Sequence, residues 1–393
     1  MTFHYRGLVL LVAMTLAPAF CAAARAQTTV SDVVGFLVTN QAVPTDDLAR
    51  DHAAAEAARD TISRALLVNL TSAPLATSSS GFLYRLNPQL GTVERATGSF
   101  GPFFVERALT PGRGRATFGV SATSAAFDQL DGRNLRDGTL VTVARRFRDE
   151  AAPFDTESLT LQIRSSTMTF FGSVGVTNRL EIGAAVPFAR VSIDGQRVNL
   201  YRGSTFLQAS ATGTASGIAD VALRAKYTLV ARPNGGVAAA TEVRLPTGDA
   251  QNLLGTGTTS YRFIGIGSLE QGVFALHGNA SFLRGGISPE WSASGAASYA
   301  VSPRVTLSGE VLRRHVSDLH DVTLAATPHP TIARLDILRL TAGTAPITLS
   351  SAVAGFKWNV TGTLVLGGHV SFALAKRGLT APITPALGLE YAF

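Results

Sequence analysis

The chain is 393 residues long, 46% hydrophobic and only 16% charged, with 38 glycines and one cysteine. An average soluble domain is about 25% charged, so a chain this poor in charge must bury much of itself or face something other than water. The formal net charge of +7 is scattered along the sequence, which leaves no clustered basic face of the kind nucleic-acid binding needs.

The first segment, "MTFHYRGLVLLVAMTLAPAFCAAARAQ", has Arg6, an apolar run from Leu8 to Phe20 and the small-x-small pattern Ala24-Arg25-Ala26. It reads as a secretory signal peptide over 1–26. A lipoprotein signal acylated at Cys21 is the rival, disfavoured by bulky Phe20. Once Cys21 leaves with the signal, no thiol remains, and neither disulfides nor Cys-based metal sites are expected. No later stretch offers ~18 consecutive apolar residues, the length of a membrane-spanning helix. Export without such a helix leaves a soluble protein or a closed membrane β-barrel.

Residues 27–112 form a segment of their own. "VPTDDLARDHAAAEAARDTISRALLVNL" predicts a helix, with Thr45 as its cap, Asp46 and Asp47 at the positive end of the dipole, and Leu48, Ala55, Ile62 and Leu66 along one side. The stretch that follows is rich in Gly, Pro and aromatics and reads as short strands and turns. The segment is expected to plug a lumen or to sit in the periplasm.

From 113 to 393 the pattern is strand throughout. Alternation predicts about twelve strands: 113–127, 157–175, 179–194, 215–231, 236–246, 258–270, 272–284, 288–302, 303–316, 346–360, 362–376 and 380–393. The phase is unclear in 157–175 and 258–270, where a bulge is expected. The connections sort by length. One series is short throughout, and the long connections, including 128–156, 195–214, 247–257 and 317–345, all fall in the other. Short turns at one end and long loops at the other is how outer-membrane barrels are built. The expected fold is therefore all-β: an antiparallel up-and-down transmembrane β-barrel with a partly helical N-terminal extension, in the bacterial outer membrane.

With apolar faces toward lipid, the opposite faces line the lumen. They carry Glu181, Asp220, Arg224, Lys226, Glu242, Arg244, His277, Glu310, Lys357, His369 and Glu390. Acids and bases nearly balance, so mutual pairing in a narrow lumen is expected. Trp291, Tyr299, Trp358, Tyr391 and Phe393 fall where interfacial aromatics belong. His277, Asn279 and Ser281 share one face, but residues four apart on a strand lie roughly 13 Å apart, too far for a nucleophile and its base. No catalytic residue, metal site or cofactor is expected.

The stretch "EVRLPTGDAQNLLGTGTTS", Glu242 to Ser260, resembles a hallmark of the meta-pathway phenol-degradation family of outer-membrane proteins. The resemblance rests on Leu245-Pro246-Thr247-Gly248 and Leu254-Gly255-Thr256-Gly257. It implies a transporter-like barrel for hydrophobic compounds. In outline the chain is also similar to the fatty-acid and toluene transporter group, where an N-terminal segment forms a hatch. The resemblance further implies that the assembly machinery reads the aromatic C-terminal strand at Phe393. The function expected is a channel for small hydrophobic or aromatic molecules, with 27–112 as plug or gate. The alternative is a structural or surface-binding barrel without transport. Expected partners are outer-membrane lipid and lipopolysaccharide, the assembly machinery and a small solute, with no nucleic acid.

Overall fold

The structure is a computed structural model that describes residues 29–39, 42–71, 84–87, 92–95 and 98–392. The expected signal peptide, Cys21 and Phe393 lie outside the described residues.

Twelve strands form a closed ring: β1 (Ala116–Phe127), β2 (Asp155–Gly175), β3 (Leu180–Tyr201), β4 (Val221–Arg232), β5 (Gly235–Leu245), β6 (Ser260–Gln271), β7 (Phe274–Gly285), β8 (Glu290–Ser302), β9 (Val305–Pro328), β10 (Leu335–Asn359), β11 (Leu364–Ala373) and β12 (Ile383–Ala392). Each pairs antiparallel with the next. β12 closes on β1, with Tyr391 opposite Phe118 and Leu387 opposite Ala122. Closure leaves no edge with unpaired backbone groups, the condition for a sheet in lipid.

The period-two pattern sets the two surfaces. Phe118, Phe170, Phe188, Leu223, Phe263, Leu276, Val311 and Leu387 are exposed on the outside. Glu181, Lys226, Glu242, Arg244, Glu310 and Lys357 are buried within. A closed sheet that is apolar outside and charged inside inverts the soluble arrangement and suits a bilayer. The protein is an outer-membrane β-barrel. No described helix is long and apolar enough to cross a membrane.

Several expectations are corrected. The connections 195–214 and 317–345 are mostly strand. β3 runs on to Tyr201 and folds back through Ser204–Ile218, turning at Arg202 (φ 46°) and Gly203 (φ 83°), the positive-φ pair of a tight hairpin. β9 and β10 run past the barrel to Pro328 and from Leu335. In the extended part of β3 the alternation continues but inverts, with Val191 and Ile193 buried inside and Arg190 and Asp194 exposed outside. The expected strand 215–231 is broken at Ala219–Asp220, and its first part pairs with β3. The interval 128–156 holds a strand, Leu140–Phe147, against β2 and β10. β2 pairs with β1 and β3 without a register shift, and β6 pairs regularly with β5 and β7. Within the ring the shifts lie instead at Thr228/Val230, Ala300/Ser302, Val316/His320 and His320/Val322, and in the added strands at Arg197/Val198 and Val141/Val143.

Two helices precede the barrel. α1 (Val30–Val38) was not foreseen, although a capping box marks its start. The Thr29 hydroxyl accepts from Asp32 N at 3.1 Å and Thr29 N donates to Asp32 Oδ2 at 3.0 Å. α2 (Leu48–Thr71) has 24 residues, roughly 36 Å at the usual rise. Its cap is Asp47, which accepts from Arg50 N at 3.2 Å, and not Thr45, whose hydroxyl goes to Asp51. Ala55, Ile62 and Leu66 are buried as expected, but Leu48 is 83% exposed. Both helices pack into the barrel at its long-loop end, where Leu37 and Leu66 join Leu161, Ile193, Val316 and Leu340 in one apolar cluster.

Candidate functional site

Two parts of the N-terminal segment pack against the inner wall of the barrel, one toward each end. At the loop end, α1 and α2 are fixed by the apolar cluster and by three polar anchors. Arg197 donates to the carbonyls of Phe36 (3.1 Å) and Thr39 and pairs with Glu157 at 2.8 Å. Arg339 pairs with Asp51 at 2.7 Å. Asn69, in the last turn of α2, donates to Leu379 O at 3.0 Å.

At the short-turn end, residues 98–112 cross the lumen as a strap without regular structure. Its backbone groups bind charges on the barrel wall. Phe104 N and Val105 N each donate to Glu310 Oε2 at 2.9 Å, and Phe103 N donates to Oε1. Lys226 donates to Leu109 O at 3.2 Å and pairs with Glu181 at 3.0 Å. Lys357 donates to Pro102 O at 3.1 Å and lies 4.7 Å from the centre of the Phe103 ring. That ring packs on His369, centroid to centroid at 4.3 Å. Glu106 pairs with Arg224, and Arg107 with Glu270 at 3.6 Å. Each interaction satisfies a strap backbone group or an ion that would otherwise be stranded away from water.

Between the two parts lies a chamber of about 290 Å³. Asn69 and Leu70 of α2 form one end, and Phe104 and Glu106 of the strap the other. Its two side walls differ. β4 to β9 contribute Arg224, Arg244, Arg262 and Arg314 together with Glu242, and Glu290 stands behind the last two arginines. β1, β2, β11 and β12 contribute hydroxyls: Thr123, Ser165, Thr167, Ser371 and Thr384.

The residues named from sequence fall into groups. Glu181, Lys226, Glu310, Lys357 and His369 meet the strap. Arg224, Glu242 and Arg244 line the chamber, with Arg244 on Glu242 at 2.7 Å. His277 contacts Ser268 Oγ at 2.9 Å, which accepts from Ala108 N at 2.8 Å. Ser281 pairs with Ser292 at 2.6 Å, so His277 and Ser281 form no unit. Glu390 is half-buried on β12 opposite Gly119. Trp291, Tyr299, Trp358 and Tyr391 are all exposed on the outer surface. Among the described residues no group of His, Asp and Glu is placed to hold a metal.

Asp220 does not face the chamber. Its carboxylate accepts from Gly248 N at 3.1 Å, from Thr256 N at 2.8 Å and from the Thr256 hydroxyl at 2.7 Å. It thereby folds the 246–257 loop into a corner. A Cβ on Gly255 would lie 2.6 Å from Gly248 Cα, so only glycine allows this approach. The corner also seats α1: Ser31 N donates to Gln251 O at 3.1 Å and Val30 N to Asn252 Oδ1 at 3.3 Å. Asp249, which holds the corner's outer turn, is kept below the usual carboxylate range by its hydrogen bond from Asn252.

Arg262, Glu290, Arg314 and the strap residues Glu106 and Arg107 went unforeseen. The face of Thr306, Ser308 and Glu310, extended by four residues, reaches Arg314. The face of Ser292 and Ser294, extended backward, reaches Glu290. For Arg262 the uncertain phase of its strand hid the assignment.

Residues 144–325 match the model of the family described as "Putative MetA-pathway of phenol degradation". The chain resembles this family. The match contains the Asp220 corner and its glycines, and the plug residues lie outside it. No curated protein sequence matches the chain. Among solved structures, the chain is similar to an outer membrane channel from Pseudomonas putida F1, with 15% identity, a TM-score of 0.47, and coverage of 73% of this chain and 98% of that one. It is also similar to the transport unit of the autotransporter AIDA-I from Escherichia coli (11%, 0.38, 84% and 98%). A third is the toluene transporter TodX of P. putida (8%, 0.35, 73% and 97%).

Proposed function

We propose that the protein is an outer-membrane channel for small molecules, with the N-terminal segment as its internal plug. One observation supports the reading: residues outside the ring of strands pack inside it toward both ends, with a cavity of about 290 Å³ between them. Side chains alone fill the interior of a barrel of about eight strands, and the ring has twelve. Here the strap is a separate segment, held to the wall by hydrogen bonds and ion pairs and by the buried Phe100 and Ala108. The chamber volume sits at the low end for ligand sites, which fits a small solute. Phe104, Ile264 and Leu312 give that solute apolar surface, in keeping with an aromatic or hydrophobic part.

Conductance of the full chain in planar bilayers tests this. Glu310→Ala removes the acceptor of three strap N–H groups and is expected to raise open probability. A disulfide between Ala108→Cys and Ser268→Cys is expected to lower it, reversibly on reduction. If neither change alters conductance, the strap is no gate.

A further inference from the structure

The chamber wall carries an unbalanced set of charges. Arg224 has Glu106, and Arg244 has Glu242 at 2.7 Å. Arg262 and Arg314 share one carboxylate, Glu290, at 3.4 and 2.5 Å. Four guanidiniums thus face three carboxylates, with one positive charge in excess. Arg313 does not add to it, being exposed on the outer face of β9. Nor do the wall's cations lean on the opposite side, where, among the described residues, the polar groups are hydroxyls and His369 and no carboxylate lines the chamber. Arg314 Nε is buried and has no hydrogen-bond partner among the described residues. An orphaned buried donor on a guanidinium costs free energy that an incoming acceptor recovers.

Next to this pair the lining turns apolar. Ile264 is two residues from Arg262 and Leu312 two from Arg314, on the same inward faces. Phe104 closes that corner from the strap. The site therefore offers a forked cation beside a small greasy surface, inside a chamber of about 290 Å³.

We propose that this chamber binds a small organic carboxylate, with its anionic head on Arg262 and Arg314 and its apolar part against Ile264, Leu312 and Phe104. The inference rests on the channel reading and names its class of solute. A carboxylate suits a guanidinium fork because both are planar and pair through two parallel hydrogen bonds. The ligand's charge supplies the second partner that Glu290 alone cannot. A neutral hydrocarbon of the same size leaves the excess charge uncompensated and must displace water from the guanidiniums.

The test uses the full chain in detergent micelles, titrated calorimetrically with sodium benzoate and, separately, benzyl alcohol. Benzoate is expected to bind at least tenfold more tightly. Arg314→Gln leaves Glu290 neutralised by Arg262, so the wall stays balanced, and it is expected to weaken benzoate at least tenfold without affecting benzyl alcohol. Glu290→Gln raises the positive excess and is expected to tighten benzoate. Heat-modifiable gel mobility reports that each variant holds its barrel. Equal binding of the two probes, or no effect of Arg314→Gln, overturns the proposal. So does weaker benzoate binding in Glu290→Gln, the result expected if the cluster merely holds the wall together. Binding without benzoate flux across bilayers upholds the site and sinks the channel reading instead.

Discussion

At the loop end two helices bury Leu37, Ile62 and Leu66 against strand extensions. At the turn end a strap packs inside the barrel, its amides and carbonyls binding Glu310, Lys226 and Lys357. The first attachment is mostly area removed from water, about 25 cal/mol per Å². The second is mostly hydrogen bonds and ion pairs with charged wall groups, a hydrogen bond to a charge being worth about 1.5–3 kcal/mol, with Phe100, Val105 and Ala108 buried beside them. On the proposed channel reading, the helices act as the stopper and the strap as the gate.

The largest effects are expected in the stopper. Leu37→Ala or Leu66→Ala should cost about 2–5 kcal/mol each, as cavities in a packed core do. Protease sensitivity of residues 29–71 in the folded barrel should rise, while the barrel's own denaturant midpoint moves little. A barrel that unfolds together with the helices would show that the two are one cooperative unit, and the division of roles would fail.

Next is the strap. Glu310→Gln keeps the size of the acceptor but removes its charge, which takes away most of the strength of a bond worth about 1.5–3 kcal/mol. Amide exchange at Phe103, Phe104 and Val105 should accelerate by about tenfold or more, a factor equal to about 1.4 kcal/mol. Amides of α2 should keep their protection. Equal acceleration at both ends would mean that stopper and gate open as one.

The Asp220 corner joins the comparison because it seats α1 on the barrel. Asp220→Ala strands Gly248 N and Thr256 N and should cost about 1–3 kcal/mol. Protease should cut within 246–257, and α1 should exchange faster while the strap is unchanged.

The wall of this barrel was legible because lipid on one side and charge on the other force strict alternation over twelve strands. Strand positions and the sorted loops follow from that pattern alone. Toward the loop end the alternation inverts, with Val191 and Ile193 inside and Arg190 and Asp194 outside, and there the reading of loops at 195–214 and 317–345 gave way to strand. The lumen was legible one strand at a time: Lys226 and Glu181 could be placed inside. Their joint hold on the strap was not visible, because no local pattern in 98–112 says which wall charges it will meet. Asp220 shows the limit most plainly. Its parity suits an inward residue, but three hydrogen-bond donors of a loop 28 to 36 residues further along the chain claim it.

The smallest expected effect separates the two ways in which the stopper itself could be held. Thr29 and Asp32 form a reciprocal cap on α1, and removing such a cap costs about 1 kcal/mol. Thr29→Ala should therefore speed exchange at the first turn of α1 about fivefold and leave Leu37 packed. The reason is that Val30, Val33, Val34 and Leu37 are all buried. A four-residue apolar face outweighs one cap. Complete release of α1 by this change would mean that its burial contributes little, and the helical end would then be as loosely held as the strap.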